Sequence, residues 1–167
     1  LTAEYAIDTF AITVTQGANG IIAPGNTTVN YGASQEFTFT PTTGYHIVAI
    51  KVNGTTVATT SPYTVSSVTG ATSLTAEYAI NTYAIIITHS ANGLISGPSY
   101  ANYGADASYT IAPATGYHIV NVIVDGVSKG AISSYTISDV QGTHTVIAIF
   151  AVNINAITAT VTTTGDL

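Results

Sequence analysis

Cysteine, methionine and tryptophan are absent from this 167-residue chain. Basic residues are nearly so: Lys51 and Lys129 stand against eight acidic residues, for a formal net charge of −6. Charged residues make up 6%, where roughly 25% is usual. Each scarcity excludes something. Without thiols there is no disulfide framework and no thiolate-held zinc or iron–sulfur site. Two lysines cannot neutralise a run of phosphates, so nucleic acid is not a partner, and neither is an anionic membrane surface. The acidic balance arises from missing Lys and Arg rather than from acidic blocks, so it points to no cationic ligand. No apolar run approaches the ~18 residues of a membrane span. The longest is Val146–Val152. Membrane insertion is not expected. The chain opens at Leu1 with no initiator Met and no leader pattern. That predicts a mature, trimmed or excised piece of something longer.

What is present is a repeat. LTAEYAIDTFAITVTQGANG (Leu1–Gly20) returns as LTAEYAINTYAIIITHSANG (Leu74–Gly93). YGASQEFTFTPTTGYHIVAIKVNG (Tyr31–Gly54) returns as YGADASYTIAPATGYHIVNVIVDG (Tyr103–Gly126). SPYTVSSVTG (Ser61–Gly70) returns as SSYTISDVQG (Ser133–Gly142). A third copy begins with VIAIFAVNINAITATV (Val146–Val161). The expected organisation has four parts. Residues 1–8 are the last strand of a preceding repeat, and 9–80 are module 1. Residues 81–152 are module 2. Residues 153–167 are the first strand of an incomplete third repeat and a candidate donor strand.

Each module reads as short strands. Phe10, Ile12 and Val14 alternate with Ala11, Thr13 and Thr15. Phe37 and Phe39 alternate with Glu36, Thr38 and Thr40. His46, Val48, Ile50 and Val52 form one face of a strand, Ile47, Ala49 and Lys51 the other. Period-2 patterning rich in Thr, Val, Ile and Tyr means β structure. Asn19-Gly20 and Asn92-Gly93 read as type I′ hairpin turns, as do Asn53-Gly54 and Asp125-Gly126. Pro41–Gly44 and Pro113–Gly116 read as turns with glycine at positive φ. The strands expected in module 1 are Phe10–Gln16, Ile21–Ala23, Gln35–Thr40, Tyr45–Val52, Thr55–Ala58, Tyr63–Val65 and Ser73–Ile80. Leu74–Thr88 reads as one long extended segment, which would join neighbouring modules stiffly. No window carries a helical stripe. A module of roughly 72 residues is small for one core, so neighbours should support it.

This pattern resembles the divergent internalin-type B-repeat family. The resemblance rests on Tyr31–Ala33, Gly44–Val48 and Val52–Gly54, and on Tyr103–Ala105, Gly116–Val120 and Val124–Gly126. It spans nearly the whole chain, twice. It implies tandem modules of bacterial and some archaeal surface or secreted proteins, acting as stalk, spacer or adhesion units. It brings no catalytic residues. It also implies a compact β-rich fold, β-grasp-like in the better-known internalin repeats. With no helix in sight, the expected fold is all-β: two tandem small antiparallel sandwich-like modules, end to end, with β-grasp-like topology as the alternative.

Candidate chemistry is thin. His46 and His118 occupy equivalent positions in GYHIV and read as strand-start residues bonding a backbone group, ahead of a metal or sugar role. His89 and His144 have no counterpart, since Gln16 and Thr72 stand there. No histidine pair has metal-site spacing, and the scattered carboxylates form no calcium loop. No metal and no cofactor is expected. There is no nucleophile elbow and no phosphate loop, so no enzyme activity is expected. Lys51 lies in an apolar strand and raises an isopeptide crosslink, but its counterpart is Ile123, which argues against one. Eleven tyrosines are present, and Tyr5/Tyr78, Tyr31/Tyr103, Tyr45/Tyr117 and Tyr63/Tyr135 recur in phase. They read as core edges with hydroxyls on backbone partners, ahead of a sugar-binding stripe. Asn26 and Asn53 head sequons and are candidate glycosylation sites, with glycans as a source of solubility.

The expected function is a non-enzymatic extracellular structural protein. It is a filament subunit or stalk segment whose partners are copies of itself, head to tail, or neighbouring repeats of a longer chain. The alternative is an adhesin or carbohydrate-binding surface module. Uncharged β-prone windows at Tyr83–Thr88 and Val146–Val152 favour strand pairing between chains. Terminal β-strand addition would run through Leu1, Ala3, Tyr5 and Ile7 at the front and Ile154, Ala156, Ile157, Ala159 and Val161 at the back.

Overall fold

The computed structural model describes residues 1–154. Sixteen strands and no helix occur among these described residues. Unit 1 comprises Leu1–Thr82 together with Asn102–Gly104. It holds β1 (Thr9–Thr15), β2 (Gly20–Ala23), β3 (Thr27–Asn30), β4 (Gln35–Pro41), β5 (Tyr45–Val52), β6 (Thr55–Ala58), β7 (Tyr63–Val65) and β8 (Thr72–Ile80). Unit 2 comprises Tyr83–Ala101 and the chain from Ala105 onward. The series recurs as β9 (Thr82–His89), β10 (Gly93–Ser96), β11 (Tyr100–Asn102), β12 (Ala107–Pro113), β13 (Tyr117–Val124), β14 (Val127–Gly130), β15 (Ser134–Ile137) and β16 (His144–Val152).

Unit 1 has two sheets. One has the order β3-β1-β8-β5-β6, the other β2-β4-β7. Period-2 side chains from both meet in one core. Ile12, Phe37, Ile50 and Leu74 have no exposed surface, and Ile22, Phe39, Val65 and Val68 close around them. Full burial of each such side chain contributes about 1.5–3 kcal/mol. Unit 2 repeats the plan with β11-β9-β16-β13-β14 and β10-β12-β15 around Tyr109, Val122, Val140 and Val146. Each unit is a two-layer all-β sandwich. A second sheet takes the place that a helix would hold in a β-grasp.

Three details differ from the sequence reading. First, Asn19-Gly20 makes no hairpin. β1 pairs with β3 and β8, whereas β2 pairs with β4 in the other sheet. Asn19 has φ +68°, but Gly20 lies outside the positive-φ region that a type I′ turn needs. Its glycine serves close approach instead, because a Cβ there would fall 2.2 Å from the Tyr78 ring. Gly93 stands in the same relation to Phe150. The edge strands β3 and β11, missing from the sequence reading, take the place left beside β1 and β9. The Asn53-Gly54 and Asp125-Gly126 hairpins do form, with positive φ at both residues of each turn.

Second, the expected face of β5 is broken by a bulge. Ile47 and Ala49 oppose the consecutive residues Tyr78 and Glu77, so Val48 is an extra residue. The bulge reverses the alternation there. Ile47 and Ile50 pack on the core, while Val48 is 44% exposed. Unit 2 repeats this at Val120. Third, β1–β8 and β9–β16 are parallel, where antiparallel pairing alone was expected. Parallel neighbours need a long crossover, and the rest of each unit supplies it. The stretch Leu74–Thr88 is also divided, because Asn81 belongs to no strand.

Candidate functional site

The residues at which chemistry was sought are scattered. No group of three or more His, Asp or Glu capable of holding a metal occurs among the described residues. No charged or polar residue among them is buried. Lys51 forms an ion pair with Glu77 across β5 and β8, and both side chains are partly solvated. It therefore meets no buried carboxylate of the kind an isopeptide bond requires. Asn26 and Asn53 are exposed, and each accepts a backbone N–H through Oδ1, from Val14 and Ser73, both at 2.8 Å. A shallow hollow of about 300 Å³ beside Val52, Asn53 and Val65–Thr72 is lined by apolar, Ser, Thr and Asn side chains and no charge.

Order concentrates instead at the turn before β5. Gly44 adopts φ +83°, and the Tyr45 N–H donates to Thr42 O at 2.9 Å. Gly44 O accepts the Asn81 N–H at 2.8 Å, and His46 Nδ1 lies 2.8 Å from Asn81 Oδ1. Asn81 O in turn accepts the Tyr103 N–H at 2.8 Å. The Tyr103 ring lies on Gly44: a Cβ there would fall 2.4 Å from its Cδ1. All of these residues belong to unit 1. Glycine is thus required twice over, by its φ and by the ring above it.

Unit 2 carries the same turn. Gly116 has φ +85° and accepts the Asn153 N–H at 2.8 Å. His118 Nδ1 lies 3.0 Å from Asn153 Oδ1. Gly116 differs in being exposed, with nothing among the described residues within 4 Å of an added Cβ. The front of unit 1 carries the tyrosine half of the pattern. The Tyr31 N–H donates to Asp8 O at 2.8 Å, as Tyr103 does to Asn81 O. Tyr31 is 57% exposed and stacks at a tilt on Phe10, centroids 6.2 Å apart.

His46 and His118 are therefore bonded to asparagine side chains, not to the backbone group expected from sequence. The signal was present: Asn81 and Asn153 recur in phase with His46 and His118. The repeated tyrosines are mostly half-buried, and the fully buried one is the unrepeated Tyr109, whose hydroxyl donates to Pro98 O at 2.7 Å. Leu1–Asp8 is in no strand and is exposed throughout, with Tyr5 at 94% and Ile7 at 60%. Ile154 is exposed, while Ala156, Ile157, Ala159 and Val161 lie outside the described residues.

Two polar features distinguish the units. Asp125 Oδ1 accepts the Thr145 N–H at 2.8 Å, and Oδ2 lies 2.7 Å from His144 Nδ1. Desolvation works to raise the Asp125 pKa. The bonds from His144 and Thr145 outweigh it and hold the carboxyl below the usual range. Its contribution is therefore present above the unfolded carboxylate pKa and lost as pH falls through the lower folded value, below about pH 4. Asn53 makes the equivalent backbone bond in unit 1 and has no proton to gain. Unit 2 should lose more stability than unit 1 between neutral pH and about pH 3, by a modest amount because Asp125 is 45% exposed. Methyl NMR of each core during urea unfolding at both pH values reads this. Asp125→Asn should remove the difference.

The second feature is Tyr78, whose hydroxyl is buried without a partner among the described residues and whose pKa is raised by desolvation. Phe150 fills that place in unit 2. An unmade buried bond is costly, so Tyr78→Phe should leave unit 1 as stable or up to about 1 kcal/mol more stable in thermal melts.

Comparison with known families and proteins gives one match. A family model described as a divergent InlB B-repeat domain matches residues 10–82 and again residues 83–154. No curated protein and no solved structure matches the chain.

Proposed function

The chain belongs to the divergent InlB B-repeat family, and from that premise we propose that it is a non-enzymatic, extracellular structural repeat segment of the bacterial-surface type. It serves as a stalk segment or filament subunit and assembles head to tail by terminal β-strand addition. One observation carries this reading. LTAEYAI occurs twice, as Leu1–Ile7 and as Leu74–Ile80. The second copy is the body of β8, hydrogen-bonded between β1 and β5 with Leu74 fully buried. The first copy carries the same side chains into solvent. An apolar strand sequence without a sheet is the donor half of a strand-addition contact. Leu1, Ala3, Tyr5 and Ile7 line that strand at the front, and Ile154, Ala156, Ile157, Ala159 and Val161 belong to the candidate donor strand at the back. With charged residues at only 6%, few like charges face one another where such strands would meet.

The test is negative-stain electron microscopy of the whole chain beside a variant lacking Ile154–Leu167. Filaments are expected from the first and none from the second. A polymer that survives the deletion removes the terminal-strand mechanism. Discrete particles at every concentration remove self-assembly.

A further inference from the structure

We infer that the turn at Gly116 is a docking site for Tyr31 of a second copy of this chain. The inference rests on the head-to-tail reading above but not on its terminal strands. Unit 1 holds the occupied version of the site. There a glycine at φ +83° carries a tyrosine ring, and the tyrosine's backbone is anchored through Asn81. Both halves of that arrangement occur again, each without the other.

Gly116 repeats the receiving half. Its φ is +85°, its carbonyl is engaged by Asn153, and His118 holds the Asn153 side chain. Among the described residues nothing covers it, whereas the Tyr103 ring covers Gly44. Tyr31 repeats the inserting half. It sits before Gly32 at φ +75°, as Tyr103 sits before Gly104 at φ +77°. Its N–H is held by Asp8 O as that of Tyr103 is held by Asn81 O. Yet it is 57% exposed, with its ring tilted against Phe10. Neither half has to reorganise to accept the other, which removes much of the ordering cost of binding. The two halves are separate patches, Tyr31 in unit 1 and Gly116 in unit 2, so each copy carries one inserting half and one receiving half.

A single aromatic ring buries about 150–250 Å², well short of the ~1,000 Å² of a stable interface. The contact is therefore weak alone and acts where copies are concentrated or tethered.

Sedimentation velocity across a concentration series reaching about 1 mM tests the pairing. Tyr31→Ala removes the ring from an already exposed position. Gly116→Asn blocks the receiving surface with a residue that tolerates positive φ. Each variant alone should associate roughly tenfold more weakly than the parent, or not at all. Tyr31→Phe should associate as the parent does. An equimolar mixture of the two blocked variants should associate more strongly than either variant alone, because each retains the half that the other lacks. That recovery also shows both variants to be folded. Association by either single variant at the parent's strength overturns the docking site. If deletion of Ile154–Leu167 abolishes assembly in that same series, terminal-strand addition survives it. A mixture that fails to recover overturns the pairing of Tyr31 with Gly116. A parent chain that stays monomeric throughout overturns both this site and the head-to-tail reading.

Discussion

Phe37→Ala is expected to cost unit 1 about 3–5 kcal/mol, the usual penalty for emptying a buried aromatic site. Phe37 has no exposed surface and lies on β4, the central strand of the smaller sheet. Its neighbours come from both layers, so no single strand can shift to fill the hole. The magnitude matters because the unit is small. At the usual stability per residue, a unit of roughly 72 residues holds about 4–11 kcal/mol. One substitution therefore removes most of the margin or all of it. Circular dichroism with urea should show the Phe37→Ala transition at much lower denaturant. Methyl signals of Leu74 should lose dispersion ahead of those of Val146. A shift of under 1 kcal/mol would mean that the β2-β4-β7 sheet is not packed as described.

Gly93→Ala should rank next, and it separates two reasons for keeping glycine. The added methyl would lie 2.3 Å from the Phe150 ring, closer than any real contact. Phe150 is itself 8% exposed and held in β16, so either the ring or the β10 backbone must move. Overpacking of this kind costs about 1–3 kcal/mol, occasionally more. Gly54 supplies the contrast. It has φ +81° and open space around it, so alanine there meets only backbone strain. That strain is about 1 kcal/mol. In the double variant Gly93→Ala/Phe150→Leu, the smaller side chain should return part of the loss. Thermal melts of the set give the order directly. If Gly54→Ala proves the more damaging, the ring does not lie over Gly93.

The sequence made the β character, the two-fold repetition and most strands of each unit readable, because alternation at period 2 is a local signal. That alternation grouped Ile12 with Phe10 and Val14, and Phe37 with Phe39, and the structure puts Ile12, Phe37 and Phe39 in the core. What it missed is non-local. Nothing near Gly20 says that a ring arriving from Tyr78 needs the space. The Asn-Gly pair therefore passed for a hairpin turn and sent β2 to the wrong neighbour. The bulge at Val48 leaves no mark in the strand that carries it, since the extra residue is extra only against Tyr78 and Glu77. The site was legible in part. Gly44 and Gly116 were identified as positive-φ glycines from their turns. Their tyrosine was not, because Tyr103 and Gly44 lie far apart in sequence and covering is a property of the fold. The in-phase Asn81 and Asn153 could have supplied the missing partner of His46 and His118.

The parallel pairing of β1 with β8 has one further consequence. The chain enters unit 1 through the first of these strands and leaves through the second. They lie side by side and run the same way, in register from Ile12 opposite Thr72 to Thr15 opposite Thr75. Tension applied at the two ends of the unit therefore pulls the strands past each other along their length. The hydrogen bonds between them are loaded together, in shear. An antiparallel arrangement of the same strands would be peeled open one bond at a time from its end. Unit 2 has the same geometry, with His144–Ala148 alongside Ile85–His89. The position at which the last strand inserts thus makes each unit a link suited to bearing load along the chain.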